Sequence, residues 1–414
     1  MRVMLNPRRL RDYPRLILVA SWSILILNVL LRQGWRGGLG QIIGIDMVIL
    51  YAAGKLYRTN IASLYDFSSQ LALERQLISP TVLPGSGPFS NPPFVAAAYA
   101  LLTHLPLGWA FGVWSLLMIG ATGVAAYLAY RFLTPRWLLD AGLTRSTLPI
   151  VVLSSFAFIE GFQAGQNHGL TLLLVTGICV ATLTGRWYLA GALGGLLIYK
   201  PQFVLGFLII WLIWRRWKTL LAFSLVTALW AGGVLLSTGL QPYRDFLSFS
   251  DQILALPYTP GWPGFLLVTP FGLLATSLPP SVFPVVLWIG RGLGAGVAVF
   301  LALLAHRTRG GTPEAQRPVV ALAMLFPLIA TPYALLHDLL LLVPVLLLMA
   351  DDDSRARTVL YLAVAAYTGA LIAPVIGAGL HLALPALIPL GVFWVLAGRA
   401  LAAARSSPAG HPGA

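Results

Sequence analysis

Charge is what this sequence lacks. Of 414 residues, 13 are acidic and 27 basic, so only 10% are charged, where a soluble domain carries about 25%. So few charges cannot clothe a water-facing surface of this size. That excludes a soluble enzyme, a disordered chain and a nucleic-acid-binding domain. Lysine is nearly absent and occurs only at Lys55, Lys200 and Lys218. The single cysteine, Cys179, permits no internal disulfide and no cysteine metal cluster, and reads as inert packing. No internal repeat, low-complexity tract, soluble domain or His-x-x-x-His ligand pair is visible, so no metal and no cofactor is expected.

What is present is apolar: 58% of residues are hydrophobic and the mean hydropathy is +0.83. A bilayer crossing takes about 20 apolar residues. The composition therefore predicts an all-α polytopic membrane protein. The net charge of +14 sits in small clusters at the ends of apolar segments, as topology signals do. Placing Arg131, Arg136, Arg145, Arg186, Arg215, Arg216, Lys218, Arg307, Arg309, Arg317, Arg355, Arg357, Arg399 and Arg405 inside predicts about twelve crossings, within a range of about eleven to fourteen, with both termini cytoplasmic. In that arrangement 94–104 and 264–278 are re-entrant, interfacial or half-spanning pieces. The inner side then holds 19 bases and 6 acids, and the outer side 7 of each.

The Arg-rich start followed by Leu16–Leu31 has a signal-peptide flank but no small-x-small cleavage site, so it reads as an uncleaved first helix. Residues 1–405 form one integral membrane domain with two long outer loops, 32–93 and 239–263. The polar tail 406–414 reads as disordered. In the first loop Ile45, Val48, Ile49, Ala52 and Leu56 recur at helical spacing, which predicts short amphipathic helices on the membrane surface. Pro84, Gly85, Gly87, Pro88, Pro92 and Pro93 then break regular structure.

A charge near a bilayer is costly and is usually retained for function. Asp351, Asp352 and Asp353 read as a solvated cytoplasmic helix end. Asp46 has apolar neighbours and no Lys or Arg within eight residues. Its carboxylate is either a partly desolvated general base or a helix N-cap. Asp66 reads as a turn cap. Glu160 lies just before Gly161–His168, a stretch with more side-chain amide and imidazole groups (Gln163, Gln166, Asn167, His168) than a tight turn needs. Lys200, before Pro201 and Gln202, either snorkels or holds a phosphate. His337-Asp338, after Tyr333, suits proton transfer, phosphate contact or metal ligation. Arg291 snorkels or meets an anion, and His104 and His381 read as packing or interface residues. The aromatics Tyr243, Phe246, Phe249, Tyr258 and Trp262 of the second loop shape either a lipid or sugar pocket or an interface belt.

In order along the chain, these elements resemble glycosyltransferase family 87, the polyprenol-phosphate-mannose-dependent mannosyltransferases of the C-type (GT-C) superfamily. The matching residues are Asp46, Tyr51, Gly54 and Leu64-Tyr65-Asp66; Ser90-Asn91-Pro92-Pro93-Phe94, without the usual aromatic before the prolines; Gly165-Gln166-Asn167, with the asparagine one place early; Lys200-Pro201 with Arg215-Arg216-Trp217; and Pro332 to His337-Asp338. The resemblance implies a GT-C-like bundle in the bacterial cytoplasmic (inner) membrane with its active site on the periplasmic face. It implies a hexosyltransferase that moves a sugar, most familiarly mannose, from a polyprenyl-phosphate donor to a glycolipid or glycan acceptor. Asp46 would be the base of an inverting displacement. Lys200, His337, Arg291 and Arg244 would meet the phosphate. Tyr51, Tyr65, Asp66, Asn91, Gln166, Asn167, His168, Gln202, Tyr333 and Asp338 would line the substrate.

Two other classes compete. A lipid-linked saccharide flippase would show inverted repeats and charges near the midplane. A lipid-linked polymer ligase would depend on Arg and His in a large central outer loop, where 239–263 offers only Arg244 and no histidine.

Overall fold

A computed structural model describes residues 7–83, 87–259, 262–350 and 356–406; Asp351–Asp353, Pro84, Gly85, Arg355 and the tail beyond Ser406 lie outside them. Among the described residues the chain is helical and forms no strand, only isolated bridges. Helix α1 (Pro7–Leu30) is followed by α2 (Ile45–Thr59) and α3 (Phe67–Ile78) in the first loop, then α4 (Pro93–Ala100) and the long α5 (Leu107–Leu133). After a short α6 (Arg136–Asp140) come α7 (Thr147–Ser154), α8 (Phe156–Ala164), α9 (His168–Leu183), α10 (Trp187–Leu196) and α11 (Leu205–Ile213). The second half holds α12 (Trp217–Thr238), α13 (Gln241–Leu254), α14 (Pro270–Ser277), α15 (Phe283–Arg307), α16 (Pro313–Ala330), α17 (Leu342–Met349), α18 (Ala356–Leu380) and α19 (Leu387–Ser406).

The helices fall into two populations. Six are long and apolar enough to cross a membrane: those within 12–30, 107–133, 217–238, 280–307, 357–380 and 384–402. They turn most of their surface outward. Leu229, Leu236, Trp288 and Trp394 are among their exposed side chains. Apolar surface on this scale is stable only in lipid. The second population is short and sits inside. α9, α16 and the stretch Leu336–Met349 are buried nearly all round, the mark of an interior helix. The protein is a multi-pass, all-α membrane protein.

One apolar segment read as whole from the sequence, 147–163, is broken. α7 and α8 are bent by 61° at a short break, the geometry of a broken span or of a re-entrant loop. The break falls at Ser155, whose hydroxyl accepts from the Phe158 N–H and starts the new helix. Pro93–His104, His168–Leu183, Trp187–Tyr199 and Leu336–Met349 are shorter apolar helices. Segments 94–104 and 264–278 are short, as expected: the α-helix of the second is 8 residues long, about 12 Å at 1.5 Å per residue.

The expected helix over 45–56 forms, and protein covers its apolar residues. Met47, Val48, Ala52 and Ala53 are completely buried, and α2 packs on α4 and also touches α5 and α8. Asp66 caps α3: its carboxylate accepts from the Ser69 N–H at 3.0 Å and from the Ser68 hydroxyl at 2.8 Å. These bonds, with that of the Ser69 hydroxyl, hold its carboxyl below the usual range. Its side chain, expected to line the substrate, is exposed and engaged in this cap. Asp66→Ala is expected to cost about 1 kcal/mol of stability through loss of the cap, read as a small fall in the unfolding temperature.

Candidate active site

The breaks in the interior helices meet. The first turn of α2, the corner between α8 and α9, the kinked stretch 197–204 and the stretch 331–341 converge, and each brings a polar side chain. Non-helical backbone inside a membrane protein is tolerated where it is buried in protein or lines a cavity. These corners are therefore where polar groups can be held.

The α8–α9 corner sets the geometry. Gly165 ends α8 in the left-handed conformation, φ 81°, and a Cβ there would lie 2.6 Å from that of Met47 on α2. Only glycine lets the corner press so closely on α2. The Gly44 N–H donates to the Gln163 carbonyl at 2.7 Å and pins the start of α2. Gln166 then donates from Nε2 to Asp46 Oδ2 at 2.8 Å. Asp46 is not the N-cap of α2, a place taken by Gly44. It stands in the first turn, where the helix dipole favours an anion.

A second chain of contacts lies beside it. His337 Nδ1 is 3.1 Å from Glu160 Oε2, His337 Nε2 is 3.7 Å from Asp338 Oδ1, and Lys200 Nζ donates to Asp338 Oδ1 at 3.2 Å. The order is Glu160, His337, Asp338, Lys200. His337 and Asp338 are buried, whereas Glu160, Lys200, Gln166, Asp46 and Tyr333 are partly exposed. The cluster thus has a buried floor and an accessible rim. Asp338 also accepts from the Leu335 N–H at 3.0 Å, which fixes the turn that presents His337.

Asp46 senses this second chain. Desolvation by the surrounding protein lifts its carboxyl to about 6; His337, the Gln166 bond and Lys200 oppose the lift, and Glu160 adds to it. A carboxylate with that value is poised to take a proton near neutral pH. Tyr333 lies within electrostatic range of both Asp46 and Asp338. Its ring lies 5.9 Å from that of Trp262 of the second outer loop, centre to centre, with the two planes tilted by 44°. That loop is tied down beside it, with the Val268 N–H on the Ala334 carbonyl at 3.0 Å and the Thr269 hydroxyl on the Pro332 carbonyl at 3.1 Å.

The structure therefore brings together Asp46, Gln166, Lys200, Tyr333, His337 and Asp338 of the expected residues. His168 is buried with its ring 6.4 Å from that of His337, and Asn167 is buried before α9. Gln202 is half-buried just after Lys200. Tyr51 instead donates to the Leu105 carbonyl at 2.9 Å. Tyr65 donates to the Asn91 carbonyl at 2.7 Å, and its ring lies among Phe89, Phe246 and Phe249. The second-loop aromatics Phe246 and Phe249 thus pack on the first loop. Two expected phosphate ligands stand apart. Arg291 is exposed on α15 with its guanidinium 5.4 Å from the Trp288 ring centre, and Arg244 is exposed on α13. Both were chosen for their charge, and each lies on the outward face of its helix.

Glu160 is the residue that sequence reasoning left out of the site. Its signal was an acid inside an apolar helix; its partner, on a distant segment, was not readable. Gly161 beside it was missed too. A Cβ at Gly161 would lie 2.7 Å from that of His337 and 2.8 Å from His168 Nδ1. Gly161→Ala is expected to displace His337 and cost about 1–3 kcal/mol, seen as a lower unfolding temperature. Among the described residues no group of three or more His, Cys, Asp or Glu side chains is placed to hold a metal ion.

A sequence model of glycosyltransferase family 87 matches residues 89–332, more than half of the chain. Glu160, Gln166 and Lys200 fall within that span, and Asp46, His337 and Asp338 outside it. A Mycolicibacterium smegmatis protein, a polyprenol-phosphate-mannose-dependent alpha-(1-2)-phosphatidylinositol pentamannoside mannosyltransferase, is 26% identical over 269 residues. The alignment covers 63% of this chain and 60% of that relative. No solved structure matches. With its polar cluster held at the breaks of interior membrane helices and its sequence matched over more than half its length, the chain belongs to glycosyltransferase family 87.

Proposed function

We propose that the protein transfers mannose from a polyprenyl-phosphate donor to a glycolipid or glycan acceptor at the periplasmic face of the cytoplasmic membrane, with inversion, and that Asp46 is the general base. One observation carries this reading. A partly accessible carboxylate lifted to about 6 stands beside a chain of groups that includes Lys200 and His337. The acceptor oxygen forms a bond to the anomeric carbon as the bond from that carbon to the phosphate oxygen breaks. The acceptor proton passes to Asp46, and polyprenyl phosphate departs unprotonated. A leaving phosphate needs no acid, so one base suffices.

The departing charge is met by Lys200 and His337, not by Arg291 or Arg244. Lys200 already holds Asp338 at 3.2 Å, so the donor phosphate competes with that carboxylate for the ammonium. The Glu160 contact occupies His337 Nδ1, so Nε2, 3.7 Å from Asp338 Oδ1, is the atom that the donor would share with that carboxylate. The membrane side rests on the charge asymmetry, and the sugar and acceptor class on the named relative.

The test is transfer by the purified protein from radiolabelled polyprenyl-phosphate mannose and, separately, from a nucleotide-linked mannose. Product from the lipid donor alone, with its anomeric configuration reversed, is the expected result. Product from the nucleotide sugar without lipid would overturn the reading. Gln166→Ala removes a bond that lowers the Asp46 carboxyl. The acid limb of the pH–rate profile should then move upward from about 6. A limb that stays in place would separate Gln166 from the base.

A further inference from the structure

The hairpins α9–α10 and α11–α12 turn on the same corner. In the first, Gly185 has φ 71° and Arg186 has φ −83°, ψ 65°; in the second, Arg215 has φ 53° and Arg216 has φ −82°, ψ 65°. The Arg186 N–H reaches back to the Ala181 carbonyl at 2.8 Å and the Arg216 N–H to the Trp211 carbonyl at 2.9 Å. Trp187 and Trp217 then open the next helices. The sequence alone suggested no repeat, yet Gly-Arg-Trp and Arg-Arg-Trp are one turn used twice.

Because α10 and α12 pack side by side, the two corners are neighbours. The Arg216 guanidinium lies 4.0 Å from the centre of the Trp187 ring, and the Lys218 ammonium 6.0 Å from that of Tyr188. A cavity of about 320 Å³ opens here, lined by Gly185, Arg186, Trp187, Tyr188, Leu189 and Lys218. Arg216 Nε is buried with no hydrogen-bond partner, and Arg309 adds a further positive charge nearby. Among the described residues no carboxylate pairs with Arg186, Arg215, Arg216 or Lys218. Cations gathered without a counter-charge around a cavity call for an anion. The flanking Tyr188, Leu189 and Trp217 are 57%, 45% and 61% exposed, the make-up of a membrane–water interface.

We propose that this pocket binds the phosphodiester headgroup of an anionic phospholipid. It is separate from the catalytic cluster and does not depend on the activity proposed above. α9 carries the chain 16 residues from His168 to the corner, about 24 Å at 1.5 Å per residue. The pocket therefore lies at the other end of α9 from His337, in the opposite leaflet, where basic pockets between helices hold acidic headgroups.

The test is native mass spectrometry of the full-length protein mixed with equal amounts of phosphatidylglycerol and phosphatidylcholine. The wild type should retain phosphatidylglycerol selectively. Removing both lining charges, Arg186→Ala with Lys218→Ala, should cut that selectivity by about thirtyfold, and Lys218→Ala alone by about fivefold. Arg186→Lys with Lys218→Arg keeps the charge and should retain most of the selectivity. If the double alanine variant does not accumulate, the single variant and the charge-keeping pair decide. No preference in the wild type, or a preference that survives removal of the charges, would overturn the assignment. So would release of the lipid by excess inorganic phosphate, which would mark a site for free anions.

Discussion

Asp46→Asn should abolish sugar transfer while leaving the protein folded. Loss of a general base typically costs 10²–10⁴-fold in rate, and an amide at this position keeps the shape of the side chain. The Gln166 side chain can rotate to offer its carbonyl in place of its amide nitrogen, so the 2.8 Å contact can persist in the variant. Stability should therefore change little, and the loss should appear in kcat. The wild-type pH profile carries an independent sign. Asp46 is lifted to about 6. The base form dominates above that value, and kcat/KM should fall about tenfold per pH unit below it. The measurement is transfer from radiolabelled donor across the pH range, with unfolding temperature as the control. A variant that retains a tenth or more of wild-type kcat would remove Asp46 from the chemistry.

Lys200→Ala should be the most destabilising single change in the cluster. Asp338 is buried, its side chain only 4% exposed, and Lys200 is its ion-pair partner at 3.2 Å. Removing one member of a buried pair leaves an uncompensated charge and costs about 3–5 kcal/mol. Replacing both members by apolar groups removes the charge as well as its partner. Lys200→Met with Asp338→Leu is therefore expected to recover most of the lost stability. It should not recover transfer, because the ammonium proposed to meet the phosphate is gone. Thermal unfolding of the two single variants and the double variant, analysed as a cycle, measures the coupling. Full additivity would show that the pair is not a unit.

Much of the site was legible because charge is so scarce in this chain. Asp46, Lys200, His337 and Asp338 stand out against apolar neighbours, and polar side chains in such places need a reason. Gln166 was legible through the glycine-punctuated corner that holds it. The pairings were not legible. Nothing in the sequence ties Glu160 to His337, because they lie on different helices and meet only when the interior packs. The outward direction of Arg291 was not legible either. In a helix that is apolar on every side, periodicity does not say which face looks inward. The class of fold followed from hydropathy, but the break inside 147–164 did not. A local cap at Ser155 interrupts a segment that charge counting takes as continuous. α2 was legible from its apolar spacing, but its protein partners, α4 and α5, were not.

The polar groups of the cluster come from corners far apart in the chain, Asp46 in α2 and Asp338 after α16. A nascent polypeptide therefore carries Asp46, Glu160, Gln166 and Lys200 before their last partners exist. Glu160 and Lys200 must wait in the bilayer, or beside it, for His337 and Asp338, which are translated much later. Assembly of the centre and completion of the interior packing are thus one event.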